Sequence, residues 1–215
     1  MEATFLFADL AGFTALTEAH GDEAAADLAA RFYALAEASL GTGARVVKRM
    51  GDAVMIVAGD PAEAVATALQ LYRAVEREPM FPMIRVGIHV GPAEERDGDF
   101  FGMTVNLAAR VAAYARSGQV LCTEKIIDAA RNAEKVAVYP LGPAQLKNVP
   151  QPVLLFEIVG EGDSTSCMKV DPVCRMLVER ETAPAKLPFG DQIYYFCSFP
   201  CAQRFALSPD VYLRT

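Results

Sequence analysis

Apolar residues near the start of the chain first form a short run and then recur at helical spacing. The run from Thr4 to Ala8 stops at Asp9 and Gly12, which predicts a buried strand followed by a turn. From Asp22 to Ser39, apolar residues recur every three or four positions in a segment rich in alanine, leucine and glutamate. This segment therefore predicts a helix.

Two strand-like runs follow, Ala44 to Lys48 and Ala53 to Ala58, with Gly51 in the short connection between them. This arrangement is typical of a β-hairpin. Asp60 and Pro61 then suit the N-cap and the first position of a helix, so the alanine-rich segment that follows should be helical to about Glu76.

Residues 84–90 predict a further strand, which completes the order strand, helix, strand, strand, helix, strand. This order predicts an α+β fold of the ferredoxin-like βαββαβ type. Beyond it, the pattern predicts a loop over 91–102, a helix over 104–116, a strand near Val120, a short helix from Thr123 and closing strands that end near Ile158. Residues 160–166 are polar and glycine-containing, which predicts a linker between domains at 1–159 and 167–215.

The composition and charge of the chain argue against nucleic acid and membranes as partners. The 215 residues carry a net charge of -7 with lysine and arginine scattered singly, so no basic patch for nucleic acid is expected. No apolar stretch approaches the roughly 20 residues that cross a bilayer, and the N-terminus lacks the basic start of a secretory signal. We therefore expect a cytoplasmic protein with no membrane partner.

Asp9 and Asp52 are the first candidates for chemistry. One follows a strand and the other lies in the hairpin connection, so neighbouring strands could bring both carboxylates to one edge of the sheet. Carboxylate oxygens suit hard divalent cations, and two such ions roughly 3.5–4 Å apart can promote phosphoryl chemistry. Either aspartate alone is more often a turn or cap residue, and only their joint occurrence favours a metal site.

Asn106 and Arg110 form a second candidate pair. They are four residues apart in a predicted helix and so share one of its faces. For an isolated pair of this kind, a solvated helix face is the alternative interpretation.

The segments Phe7–Thr14, Lys48–Asp52 and Asp99–Asn106, followed by Arg110, occur in this order in one chain. Together they resemble the catalytic domain of class III nucleotidyl cyclases over about residues 1 to 159. The resemblance implies that the ribose 3′-hydroxyl of a nucleoside triphosphate attacks the α-phosphate and expels pyrophosphate. It also implies a homodimer, in which the metal-binding aspartates of one subunit meet the remaining site residues of the other.

The resemblance assigns a role to each site residue. Asp9 and Asp52 would bind two Mg²⁺ or Mn²⁺ ions, Asn106 would orient the ribose, and Arg110 would stabilise the transferring phosphoryl group. Lys48 and Asp99 would read the base: an ammonium donates to adenine N1 and a carboxylate accepts from the exocyclic amine, whereas guanine presents the opposite pattern. ATP is therefore expected as the substrate, with Lys147 on its triphosphate.

The last part of the chain carries four of the five cysteines. The segments Asp171–Met176 and Tyr194–Cys201, with Phe205 and Pro209–Tyr212, resemble the YHS domain. Thiolates at this spacing suit Zn²⁺ or Cu⁺. The cysteines concerned are Cys174, Cys197 and Cys201, with Cys167 as a possible fourth ligand.

Two features leave the metal interpretation of this segment open. Arg175 replaces the glycine that usually follows the first cysteine of the YHS pattern. The cysteines could also be small core residues of a short domain. Elsewhere in the chain, His20 and His89 are expected to be structural, since His89 lies within a predicted strand and has no partner histidine. Cys122 is expected to be a buried strand residue.

The sequence thus predicts an adenylate cyclase that acts as a homodimer, with regulation by a metal-binding YHS domain as a further hypothesis. The alternative is a catalytically silent nucleotide-binding or metal-sensing scaffold that dimerises through the cyclase fold. All six principal site positions carry the expected residue types, which favours the enzyme.

Overall fold

The structure is a computed structural model that describes residues 1–132, 136–160 and 168–213. A larger unit ends at Gly160. Its strands are β1 (Glu2–Leu10), β2 (Ala44–Met50), β3 (Ala53–Ala58), β4 (Ile84–Pro92), β5 (Glu94–Arg96), β6 (Asp99–Phe101), β7 (Val120–Thr123), β8 (Val136–Ala144) and β9 (Val153–Gly160). Its helices are α1 (Phe13–His20), α2 (Asp22–Ala38), α3 (Pro61–Glu76), α4 (Met103–Tyr114) and α5 (Ile127–Asn132).

The main sheet has seven strands in the order β2-β3-β1-β4-β7-β9-β8. Its first four strands pair antiparallel in the order that the ferredoxin-like plan requires, which confirms the predicted βαββαβ arrangement. Among the described residues, no helix is long and apolar enough to cross a bilayer.

Strand β1 is buried on both faces. Leu6, Ala8 and Leu10 point into a core shared with α2 and α3, whereas Phe5 and Phe7 point into a second core against α4. Successive side chains of a strand alternate between its faces, and here both faces are covered by helices. The continuous apolar run at the start of the sequence follows from this double burial.

Gly87 brings α4 close to the sheet. A Cβ atom at this position would lie 2.1 Å from the backbone nitrogen of Ala112, so only glycine lets the helix pack directly on β4. The helix that carries Asn106 and Arg110 is therefore held against the central strands.

Two elements differ from the sequence prediction. Helix α1 was not predicted; it is only eight residues long and begins after Gly12, which has a φ of 77°. The predicted loop over 91–102 is wrong in part, because β5 and β6 form a hairpin there. The three residues of β5 are all charged and exposed, so they lack the apolar alternation that indicates a strand.

A smaller C-terminal module follows. Its elements are β10 (Met168–Val170), β11 (Leu177–Glu179), β12 (Ala185–Phe189), β13 (Gln192–Phe196), α6 (Phe199–Leu207) and α7 (Pro209–Leu213). The ring of Phe205 packs against Phe189, Tyr194 and Phe196. Apart from Gly160, the predicted linker lies outside the described residues, as does Cys167.

The module packs against the larger unit. The backbone N–H of Leu177 donates to the carbonyl oxygen of Phe81 at 2.9 Å, and Met176 pairs with Pro82 in an isolated antiparallel bridge. Buried side chains of the module belong to the same hydrophobic cluster as those of α2 and α3.

Candidate active site

The hairpin between β2 and β3 brings Asp52 beside Asp9. In the β1–β3 pairing, Asp9 lies opposite Ala53, the residue after Asp52. The N–H of Leu10 also donates to the carbonyl oxygen of Asp52 at 3.1 Å. Gly51, with a φ of 64°, supplies the left-handed turn that this two-residue connection needs. The two aspartates therefore meet at one edge of the sheet.

One oxygen of the Asp9 carboxylate is paired and the other is not. Arg85 donates to Asp9 Oδ2 through Nε at 2.9 Å and Nη2 at 2.6 Å. Asp9 Oδ1 is buried and has no hydrogen-bond partner in the described part of the chain. A buried carboxylate oxygen without a donor is costly, and a cation at this position would satisfy it.

The charge state of Asp9 supports the same interpretation. Burial raises its pKa to about 6; Arg85 acts in the opposite direction, and the adjacent Asp52 carboxyl raises the pKa further. Two neighbouring carboxylates, one of them buried, are a donor set that fits Mg²⁺ or Mn²⁺.

Sequence reasoning missed Arg85. The only available signal was a lone cation within the apolar strand run over 84–90. Its pairing with Asp9 depends on the register between β1 and β4, in which the two residues lie opposite each other.

Lys48 and Asp99 contact each other directly. The Lys48 ammonium donates to Asp99 Oδ2 at 2.7 Å, and the backbone N–H of Phe100 donates to Asp99 Oδ1 at 2.8 Å. The Lys48 ammonium holds the pKa of the Asp99 carboxyl below its usual range. Both side chains are about one-third exposed, at 36% and 33%, so a ligand can reach them.

Asn106, Arg110 and Lys147 line one cavity of about 470 Å³. Asn106 and Lys147 are exposed, whereas Arg110 is half-buried. Lys125 also lines this cavity, which brings three cationic side chains to one surface. Such a surface attracts a polyanion such as a triphosphate.

The candidate residues thus form three separate groups on one chain. The metal-type carboxylates Asp9 and Asp52, and the ion pair of Lys48 with Asp99, do not line the cavity that holds Asn106, Arg110 and Lys147. Among the described residues, this cavity therefore brings together three of the seven candidate side chains.

His89 lies in β4 beside this cavity, and its Nδ1 is 2.7 Å from Thr123 Oγ1. Burial lowers the pKa of His89 to about 4, and the positive charge of Lys125 acts in the same direction. The folded chain therefore keeps this imidazole neutral at pH values where the unfolded chain protonates it.

Acidification should for this reason destabilise the fold through His89. Its stabilising effect is complete above pH 6.5, the ordinary value, and is lost as the pH falls towards 4. The difference between the pKa of 6.5 and the folded-state pKa of about 4 corresponds to about 3 kcal/mol in the free energy of unfolding. We expect His89→Asn, which keeps a polar atom near Thr123, to lose less free energy of unfolding than the wild type between pH 7.5 and 4.5 in urea titrations. Parallel curves for both proteins would contradict this assignment.

The three cysteines of the module lie together. Cys174 Sγ is 3.3 Å from Cys197 Sγ, and Cys197 Sγ is 3.6 Å from Cys201 Sγ. All three thiols are free and buried. Cys122, by contrast, is buried in β7 as predicted, and burial raises the pKa of its thiol to about 12.

Arg175, which stands where the YHS pattern usually has glycine, has a φ of 64°. This backbone conformation favours glycine, so the arginine adopts it at some energetic cost. Its side chain lies against Gly12, next to α1.

The fold of the larger unit is that of a nucleotide cyclase catalytic domain. Residues 1–160 match the family described as the adenylate and guanylate cyclase catalytic domain, and the chain belongs to this family.

Sequence relatives agree with this assignment. The chain is 37% identical over 160 residues to the pH-sensitive adenylate cyclase MT1302 of Mycobacterium tuberculosis, covering 73% of this chain and 40% of that protein. It is 40% identical over 116 residues to an adenylate cyclase of Streptomyces griseus, covering 54% of this chain and 29% of that protein. The chain therefore spans less than half the length of these curated relatives.

Solved structures show the same fold. An adenylate cyclase of Trypanosoma brucei, solved in its monomeric state, matches with a TM-score of 0.65 and 25% identity over 73% of this chain and 89% of that one. The adenylyl cyclase CyaB of Pseudomonas aeruginosa matches with a TM-score of 0.63 and 22% identity, covering 75% of this chain and 95% of that chain.

Proposed function

We propose that this chain is an adenylate cyclase that converts ATP into 3′,5′-cyclic AMP and pyrophosphate. The observation that carries the proposal is the pair of adjoining carboxylates, Asp9 and Asp52, with one buried carboxylate oxygen unpaired. The identity to proteins named adenylate cyclase supports the same activity.

Asp9 and Asp52 would hold Mg²⁺ or Mn²⁺ through their carboxylate oxygens. When bound, such ions lower the pKa of a coordinated hydroxyl and neutralise phosphate charge. Arg85 keeps the Asp9 carboxylate in place by donating two hydrogen bonds to Oδ2. Because Arg85 occupies only Oδ2, Oδ1 stays available.

The reaction forms a bond between the ribose 3′-oxygen and the α-phosphorus and breaks the bond from the α-phosphorus to the oxygen that bridges it to the β-phosphate. Pyrophosphate leaves, and the hydroxyl proton passes to solvent. Arg110 would donate to the α-phosphate oxygens as charge builds there, and Asn106 would orient the ribose. Lys147 would bind the triphosphate, whose β- and γ-phosphates leave as pyrophosphate. One preorganised donor of this kind is worth about 3 kcal/mol in the barrier.

The separation of the candidate groups on one chain supports a shared site. The carboxylate pair lies at one edge of the sheet and the Asn106–Arg110 surface lies on α4, in a cavity that neither aspartate lines. In a two-fold symmetric dimer, the carboxylate edge of one subunit would face the α4 surface of the other. Two equivalent composite sites would result, and the monomer would be inactive.

The ion pair of Lys48 and Asp99 would select adenine. Family members that use GTP typically have glutamate and cysteine at these two positions. Because the two side chains contact each other in this structure, they are best replaced together. A lone Lys48→Glu change would place two carboxylates side by side.

We therefore expect Lys48→Glu combined with Asp99→Cys to lower the ratio of ATP to GTP turnover at least about tenfold, since a hydrogen bond to a charged group is worth about 1.5–3 kcal/mol. The measurement is kcat/KM for each nucleotide. The exposed ion pair of Arg45 with Glu95 provides a matched control. Arg45→Gln with Glu95→Gln should leave the ratio unchanged; an equal change in both double variants would contradict the base-reading role.

The activity itself is tested by incubating the purified chain with ATP or GTP in the presence of Mg²⁺ or Mn²⁺ and measuring the cyclic nucleotide and pyrophosphate. We expect cyclic AMP from ATP. No cyclic product from a folded, dimeric protein would overturn the proposal and favour a nucleotide-binding scaffold.

A further inference from the structure

A histidine of the cyclase domain lies within the cysteine cluster of the module. His20 Nε2 is 3.4 Å from Cys197 Sγ and 3.8 Å from Cys201 Sγ. Together with Cys174, these residues place four ligand atoms within 4.8 Å of one another. Sequence spacing could not show this group, because 177 positions separate His20 from Cys197.

The spacing of these atoms fits a tetrahedral metal site. Zinc bonds of about 2.3 Å to sulfur and about 2.0–2.1 Å to nitrogen imply S···S edges of about 3.8 Å and S···N edges of about 3.5 Å. Two of the three sulfur pairs lie at 3.3 and 3.6 Å, and the nitrogen lies 3.4 and 3.8 Å from two sulfurs. These separations far exceed the roughly 2.05 Å of a disulfide.

The surroundings hold the ligands in place. Asp171 is completely buried, and its carboxylate accepts hydrogen bonds from the backbone N–H groups of Val173 and Cys197, each at 2.8 Å. One side chain therefore positions both cysteine-bearing segments.

His20 belongs to the helix that directly follows the strand carrying Asp9. It is the last residue of α1, which begins at Phe13, shortly after Asp9 in β1. The module approaches the same region a second time, where the Arg175 side chain lies against Gly12. A metal ion bound by His20 and the cysteines would thus connect the module to the segment between Asp9 and α1.

We propose that His20, Cys174, Cys197 and Cys201 form a Cys₃His zinc site that joins the C-terminal module to the cyclase domain. Three thiolates and one imidazole form a closed, four-coordinate ligand set of the structural zinc type. Imidazole as the fourth ligand favours Zn²⁺ over Cu⁺, which prefers soft sulfur ligands. The site is independent of whether the chain turns over ATP.

Metal binding tests the ligand set in the full chain. We expect the reduced, metal-free protein to bind one Zn²⁺ at this cluster. With Co²⁺ as a probe, it should show thiolate-to-cobalt charge transfer and the strong visible absorption of a four-coordinate ion. His20→Ala should weaken Zn²⁺ binding more than about 100-fold, because even partners outside the ligand set change affinity 10–100-fold.

Two variants make this result specific. Cys122→Ala removes a buried thiol outside the cluster and should bind Zn²⁺ like the wild type, whereas Cys197→Ser should lose binding. Circular dichroism establishes that each variant is folded, and His20→Gln serves as a second test of the imidazole. Unchanged Zn²⁺ affinity and an unchanged cobalt spectrum in both His20 variants would overturn the proposal, as would a preference for Cu⁺ that does not depend on His20.

Hydrogen exchange tests the connection between the two units. We expect Zn²⁺ to slow amide exchange in α1, residues 13–20, as well as around Cys174 and Cys197, because local opening of α1 would then break a metal bond. In His20→Ala the slowing in α1 should be absent. Protection confined to the module in the wild type would show a metal site without a cyclase-domain ligand and would contradict the inference.

Discussion

Asp52→Ala should form cyclic AMP at least about a thousandfold more slowly than the wild type, since metal stabilisation of the transferring phosphate is worth several kcal/mol. Asp52 is the better of the two carboxylates to remove. Asp9 is paired with Arg85, and its loss would leave a partly buried guanidinium without a partner. Asp52 lies in a hairpin turn and is half-buried, so its replacement should leave the strands intact.

The measurement is initial cyclic AMP formation from ATP with saturating Mg²⁺ or Mn²⁺. Asp191→Asn provides the matched control, because Asp191 is an exposed carboxylate in the turn between β12 and β13. It should retain full activity. If Asp52→Ala is folded and keeps more than about a tenth of the wild-type rate, the carboxylate pair does not perform metal-assisted chemistry.

The sequence predicted the elements of the core because their apolar patterns are long. Strand β1 is buried on both faces, and α2 and α3 carry apolar residues at a regular helical period, so their existence follows from local pattern alone. Helix α1 and the hairpin of β5 and β6 lack such patterns. α1 is short, and the charged residues of β5 are exposed, so only their tertiary surroundings define them.

For the candidate site, the sequence located residues better than it located their contacts. The proximity of Asp9 and Asp52 followed from their positions at a strand end and a hairpin turn. The pairing of Arg85 with Asp9 and that of Lys48 with Asp99 depend on strand register and on a hairpin that was not predicted. The position of His20 depends on how the module packs, which no local pattern encodes.

These contacts also explain how a partner subunit could complete the site. Arg85 neutralises part of the charge of the carboxylate pair but leaves Asp9 Oδ1 unpaired, and Asp99 neutralises Lys48. The cationic cavity with Arg110, Lys125 and Lys147 has no acidic residue among its lining residues. The positive charge of this cavity is therefore not compensated by its own lining, and it should attract a polyanion.

Complementation between two inactive variants tests whether the site is shared. Asp52→Ala disables the carboxylate edge, and Arg110→Ala disables the α4 surface. If each site takes one edge from each subunit, a mixed dimer has one doubly defective site and one intact site. A mixed dimer isolated with two different affinity tags should then regain about half of the wild-type rate, although each variant alone is nearly inactive.

The pair Asp52→Ala and Asp9→Asn supplies the matched control for this experiment. Both changes lie on the same edge, so every site in their mixed dimer lacks one carboxylate, and no activity should return. Recovery in this control would show that subunit mixing alone restores activity. An inactive mixed dimer of Asp52→Ala and Arg110→Ala would place both residues in the same subunit's site. The Asp52 carboxylate and the Arg110 side chain, which lie apart in this structure, would then have to come together within one chain.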